Sequence, residues 1–275
     1  RPPRSTLFPY TTLFRSSEPN ILEVSERGEM PMARKFIWVT LSKHQVYAWV
    51  ILIGLIYLLS LPESYHLAVL STAPLAAPEK FDVMIDPGHG GIDPGGIGDG
   101  DVYEKDIVLE IALRLKDYLE HRGLAVGMTR TSDTDVAHLG SIRGTRYQRD
   151  LNGRFLAMHE GAVGISIHAN VSKDPNQKGA IVFYMRDSYI DQIYANIILE
   201  HLERVQILNH PEPVPRGNLL LLKAKPPVLL VEVGFLSNGE ELAKLADPQF
   251  RQGLAEALGQ GIVRFLDFYR LEQSE

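Results

Sequence analysis

Two apolar stretches of this chain run into a histidine, and a third carries a glutamate. They read Val83-Met84-Ile85-Asp86-Pro87-Gly88-His89, Gly164-Ile165-Ser166-Ile167-His168 and Val228-Leu229-Leu230-Val231-Glu232-Val233. Short runs of this kind, bounded by glycine and proline, read as core strands. Each therefore places an ionisable or metal-binding side chain at or near the carboxyl end of a strand, the edge where open α/β sheets collect ligands. Neutral imidazole is a good zinc ligand, so a zinc-type hydrolytic centre is the first hypothesis.

Taken singly, each residue has a structural explanation as well. His89 lies in Gly88-His89-Gly90-Gly91, where glycines permit a sharp turn around a ligand or a turn with a solvent-facing ring. A phosphate cradle lacks both G-x-x-x-x-G-K-[ST] and a well-spaced G-x-G-x-x-G. His168 alone could be a satisfied core histidine. Glu232 could face water on an edge strand, but its apolar neighbours argue for burial. A buried carboxylate needs a partner, a proton or a metal, and its raised pKa suits general-base work. Glu104 opens a helix, where its charge favours the dipole; spacing does not select it over Asp86, Asp93, Asp99 or Asp101. His121 fits a helix C-terminus, and His138, His159, His201 and His210 are expected in loops or on exposed helix faces.

The remaining chain restricts the class. The formal charge is −6, which leaves no basic footprint for nucleic acid. Without cysteine there are no thiolate metal sites and no disulfides, so any metal must take His, Asp, Glu or water. Residues 6–16 read TLFPYTTLFRS, which resembles a translated sequencing adapter; residues 1–16 are set aside as an expected artefact. Residues 17–45 form an N-terminal region whose basic flank is Arg34, Lys35 and Lys43. The uncharged run 46–61 spans about 24 Å as a helix, slightly short of a bilayer core. With Pro62-Glu63 after it, the run reads as a signal anchor that leaves the following domain outside the membrane; a buried core helix is the alternative. Cleavage would have to use the small residues at 71–73 or 76–77. Residues 62–80 read as a linker.

From 81 to 272 strands and helices alternate. Strands are expected at 81–85, 125–129, 162–168, 180–184, 219–222 and 228–233, and helices at 104–121, 150–160, 187–205 and 248–271. Ile107, Ile111, Leu115 and Leu119 form one core stripe and Phe250, Leu254, Leu258, Ile262, Leu266 and Tyr269 another. The pattern predicts a three-layer α/β domain with a twisted, mostly parallel central sheet flanked by helices.

Five pieces in order, IDPGHGGIDPGGIG, YEKD, MTRTSD, SIHAN and PVLLVEVGFLSNGEE, together resemble the zinc-dependent N-acetylmuramoyl-L-alanine amidases, amidase type 3. The resemblance spans about 82–271. It implies Zn2+ held by His89, Glu104 and His168, with Glu232 as the catalytic glutamate; it is this resemblance that selects Glu104. It implies hydrolysis of peptidoglycan at the amide between N-acetylmuramic acid and L-alanine of the stem peptide, in the cell envelope. Many relatives have Ala-Asn where this chain has Ala157-Met158, which leaves contacts around the ligands there unassigned. Between Tyr184 and Asn218 no large inserted lid is expected. The compact size, the anchor and Arg149-Asp150-Leu151 resemble the sporulation amidases of the spore cortex. The alternatives are a catalytically silent peptidoglycan-binding domain, at odds with four intact site residues, and another exported zinc peptidase, at odds with the absence of H-E-x-x-H.

Overall fold

The computed structural model describes residues 42–59 and 80–273. The first segment, described by itself, is helix α1, Lys43–Leu59. Its described side chains are all exposed, apolar ones included. Among the described residues no helix is long and apolar enough to cross a membrane. Residues 60–61 of the expected anchor, all of 1–41 and all but Lys80 of the linker lie outside the described residues.

The second segment builds a six-stranded sheet. Its strands are β1 (Phe81–Pro87), β4 (Val126–Met128), β5 (Gly161–Asn170), β6 (Ile181–Met185), β7 (Val214–Arg216) and β8 (Val228–Phe235), in the order β4-β1-β5-β8-β6-β7. The first four in that order run parallel, β6 pairs antiparallel to β8, and β7 runs parallel to β6. A small antiparallel pair, β2 (Ile97–Gly98) and β3 (Val102–Tyr103), leads into helix α2 (Glu104–Glu120). Helices α3 (Arg146–Met158), α4 (Tyr189–Leu202), α5 (Gly239–Ala246) and α6 (Pro248–Glu272) complete the domain.

The expected three-layer, mostly parallel sheet is present, and its central strands are the apolar runs. The two faces are covered unequally. The larger core packs the α2 stripe Ile107, Ile111, Leu115 and Leu119, the α4 residues Tyr194, Ile198 and Leu202, and the α6 stripe against Val83, Ile85, Ile165 and Val231. The opposite face carries a smaller cluster, in which Met158 of α3 and Leu221 and Leu222 of a 3-10 turn meet Met84 and Val228. The expected insertion-free segment 184–218 holds α4 and β7, and α4 buries its apolar side in the larger core.

Several expected elements differ. Residues 219–222 are not a strand; the turn Leu221–Lys223 is 3-10 and tucks Leu222 under the sheet. Helix α3 begins at Arg146, four residues before the expected start, because Thr145 and Gln148 close a reciprocal capping box. The pairs β2–β3, strand β7 and helix α5 were not anticipated, since two- or three-residue strands carry no readable period. His201 was expected on an exposed face, yet it is buried; its Nδ1 lies 2.8 Å from the Ile197 carbonyl oxygen, which satisfies the ring inside the α4–α6 contact.

One buried ion pair ties the two sides of the sheet edge together. Asp86, at the end of β1, is fully buried and accepts from Arg154 Nη1 at 2.7 Å, Thr129 Oγ1 at 2.6 Å and Ser166 Oγ at 2.7 Å. Burial opposes its ionisation, but the Arg154 guanidinium and these donors hold the carboxyl below the usual range. Removing one member of such a pair strands the other charge. Arg154→Met is expected to destabilise the domain by about 3–5 kcal/mol in urea unfolding. Adding Asp86→Asn to that variant should recover part of the loss, because the fully buried charge is removed, while Asp150, which Arg154 Nε also holds at 2.7 Å, still lacks its cation. A single variant as stable as the parent would remove the pair from its structural role.

Candidate metal centre

His89 follows β1 in the left-handed region, at φ 60°. Such a backbone is strained for a residue with a side chain and persists only when its surroundings hold it. Two arginines do so. Arg154 Nη1 donates to the Pro87 carbonyl at 2.8 Å and its Nη2 to the His89 carbonyl. Arg130 Nε donates to the Pro87 carbonyl at 3.0 Å, and its Nη2 to the Gly88 and Lys105 carbonyls, each at 2.8 Å. The last contact fastens the loop to the first turn of α2. Burial, then the neighbouring Arg154, brings Arg130 down to about 10, which still leaves it charged at neutral pH.

Glu104 is the first residue of α2 and is nearly fully buried. Its carboxylate is turned into the site, and the helix starts without a side-chain cap. Oε1 accepts from the Ala169 backbone N–H at 3.0 Å and Oε2 from the Gly96 N–H at 2.7 Å. The Ala169 N–H is available because it faces the β1 side of β5, where pairing ends at Pro87–Ile167. His168 Nδ1 lies 2.9 Å from Glu104 Oε1, and His89 Nε2 lies 3.1 Å from Oε2. The two imidazole rings sit edge to face with centroids 5.0 Å apart.

One ligand atom from each of His89, Glu104 and His168 lies within 4.8 Å of the others. Two imidazole nitrogens and one carboxylate oxygen are a donor set that zinc accepts, with a fourth position left for water. The electrostatics fit a cation. Burial works against a charged His89 ring, but Glu104 and Asp93 outweigh it and push its pKa up to about 9. Burial likewise opposes the Glu104 charge, and the two histidines overcome it and hold the carboxyl far below its ordinary value. Glycines make room for this packing: a Cβ on Gly88 would sit 2.3 Å from the His168 ring, and one on Gly95 2.5 Å from Glu104 Oε2.

Glu232 pairs in register with His168 on the neighbouring strand. The residue is half-buried, yet its Oε2 is closed from solvent and has no hydrogen-bond partner. Burial pushes its carboxyl up to about 7, with His168 and His89 pulling it down and Glu104 pushing it up. Thus all four residues singled out from the sequence meet at one sheet edge.

Asp93 and Asp86, which spacing left as rivals of Glu104, take other places. Asp93 Oδ2 lies 2.9 Å from His89 Nδ1 and its Oδ1 accepts from the Gly95 N–H at 3.1 Å, so it turns His89 Nε2 toward Glu104. A carboxylate on the far nitrogen of a ligating histidine fixes its tautomer and orientation. Arg130 and Arg154 escaped sequence reading; the one trace of them is Asp86, an acid inside an apolar strand that must have a partner. A cavity of about 340 Å³ opens beside the cluster, lined by His89, His168, Arg154, Tyr147, Leu219 and Leu230 among others.

Over residues 83–264 the chain matches the family described as N-acetylmuramoyl-L-alanine amidase. It is similar to the germination-specific N-acetylmuramoyl-L-alanine amidase of Bacillus subtilis, 37% identical over 188 residues, which cover 66% of this chain and 78% of that protein. It is also similar to the amidase AmiC of Neisseria meningitidis, 29% identical over 67% of this chain and 52% of that one. Among solved structures, the CwlD amidase from Clostridioides difficile, in complex with the GerS lipoprotein, superposes with a TM-score of 0.62 at 33% identity. That match covers 68% of this chain and 98% of CwlD. The ordered motifs, the sheet and these matches agree: the chain belongs to the N-acetylmuramoyl-L-alanine amidase family.

Proposed function

We propose that the domain is a zinc-dependent peptidoglycan amidase that cuts the amide between N-acetylmuramic acid and L-alanine of the stem peptide. The observation that carries this reading is the pairing of the His89–Glu104–His168 cluster with an unpartnered, buried Glu232 oxygen one strand away. His89, Glu104 and His168 would hold the zinc. When bound, zinc acidifies a water and polarises the scissile carbonyl. Glu232 accepts the proton from the attacking water and passes it to the leaving amine, a task suited to a carboxyl near pKa 7. Asp93 keeps His89 oriented, and Arg154 with Arg130 keeps the loop beneath it from relaxing.

The same reading places the domain in the cell envelope, with the run that includes α1 as its membrane anchor. The basic flank and the exposed apolar side chains of α1 support this. A sporulation role rests on the similarity to the germination-specific amidase and to CwlD. Fractionation of cells expressing the full chain with a C-terminal tag is expected to leave the protein in the membrane pellet after a high-salt wash; recovery in the soluble fraction sinks the anchor.

Incubating the zinc-loaded protein with purified peptidoglycan should release stem peptides bearing free L-alanine amino groups. New reducing sugar ends without such peptides would overturn the amidase reading. Glu232→Gln is expected to keep its zinc and lose at least about 100-fold in kcat, in line with loss of a general base. His168→Ala should lower zinc stoichiometry measured by metal analysis, and an unchanged content removes His168 from the ligand set.

Burial of Glu232 also has a stability signature. Its folded pKa, about 7, lies above the ordinary carboxylate value, so the folded state holds this proton more tightly. That contribution is full below about pH 4 and is lost as the pH rises through about 7. In chelated protein, Glu232→Gln should therefore match the parent closely at pH 5. By pH 8 it should be about 1–3 kcal/mol more stable in urea unfolding. An equal gap at both pH values would show that the carboxyl is not buried.

A further inference from the structure

The cavity beside the metal cluster adjoins a second depression, with Asn218 lining both. In-register residues of neighbouring strands share a face of the sheet, and one such row runs Asp86, Ser166, Leu230, Phe183. Asp86 and Leu230 both line the cavity, and Phe183 lies on the same sheet face one strand farther out, packed with Leu230 against the smaller core. Helix α3 covers only the near part of this face; beyond it the floor is covered by the 3-10 turn, and Leu230, Phe183 and Met185 are half-buried. At the far end the Arg216 guanidinium lies over the Phe183 ring, 4.9 Å from its centroid. Arg186 is tied beside it by a 2.9 Å bond from its backbone N–H to the Arg216 carbonyl. Both arginines line a second open depression that shares Asn218 with the cavity at the metal cluster.

Both guanidiniums are exposed, and neither has an ion pair or side-chain hydrogen bond among the described residues. Two unpaired arginines lining one depression give it a positive potential that favours an anion. Stacking on Phe183 pre-orients one fork, which suits the planar, bidentate recognition of a carboxylate. The chain as a whole is acidic, at −6, so this basic pair is a local feature and not part of a general positive field.

Resting on the amidase reading, we propose that Arg186 and Arg216 form a carboxylate subsite that holds the peptide half of the substrate where it leaves the metal cavity past Asn218. At strand spacing and rise, the path from Glu232 past Leu230 and Phe183 to these guanidiniums is about 10–15 Å. That length holds three or four extended peptide residues, which puts a carboxylate at or near the peptide's C-terminal end within reach.

The test compares two probes with the zinc-loaded full chain: an N-acetylmuramoyl tetrapeptide with free carboxylates, and the same compound with every carboxylate converted to a carboxamide. The parent protein is expected to favour the free acid by about tenfold in kcat/KM, expressed mainly in KM, as for a charge-assisted contact remote from the reacting bond. The double variant Arg186→Gln/Arg216→Gln should bring the ratio of the two probes to about one. Arg186→Lys/Arg216→Lys should restore part of it, which a purely structural role would not do. A parent that treats both probes alike, or a Gln variant that discriminates like the parent, overturns the subsite. Failure of the parent to release a free L-alanine amine from either probe overturns the amidase reading itself, and the subsite with it.

Discussion

The buried Asp86–Arg154 pair is the contact on which the site depends. Asp86 ends β1 inside the protein and takes donors from Thr129, Ser166 and Arg154. Through Arg154 the charge of Asp86 is relayed to the carbonyls of Pro87 and His89, and Arg130 holds Pro87 and Gly88 from the other side. A left-handed histidine between glycines would otherwise relax. The loop's polar backbone is thereby satisfied by buried cations, and the imidazole is left free to face Glu104 and His168. Because Arg130 also donates to the Lys105 carbonyl, the loop is fastened to the first turn of α2. The orientation of Glu104 follows from that attachment and from the Gly96 and Ala169 N–H donors.

The two faces of the sheet are covered unequally. Three helices fill one face and place most of the apolar core there. The other face has α3 over β1 and β5 but only a 3-10 turn over β8 and β6. Leu230 and Phe183 remain partly open on a floor that starts at His168. The segment 184–218 is spent on α4, packed on the far face, and on β7.

Much of the architecture was legible because it is periodic. The apolar runs of β1, β5 and β8 and the stripes of α2 and α6 are local patterns, and each element forms where the pattern lies. His89, His168 and Glu232 were legible as strand-end residues on the same grounds. Glu104 was not: a glutamate at a helix start has an adequate local role, and only the family resemblance separated it from Asp86 and Asp93. His201 was misread because the polarity of a ring says nothing about whether an Ile197 carbonyl is within reach. The short strands and the 3-10 turn were missed because two or three residues hold no period.

By itself the sequence determined the longer strands and helices, the apolar faces they bury, and that three chemically capable side chains stand at strand ends. These are consequences of local periodicity and of the cost of burying polar groups. Only the tertiary structure decided that His89, Glu104 and His168 converge, that Asp93 orients one of them, and that Asp86, Arg154 and Arg130 hold the loop. It alone showed which half of the sheet stays open. Those outcomes depend on strand order and register, in which residues separated by 64 or 68 positions become hydrogen-bonded neighbours, and no local pattern encodes such distances.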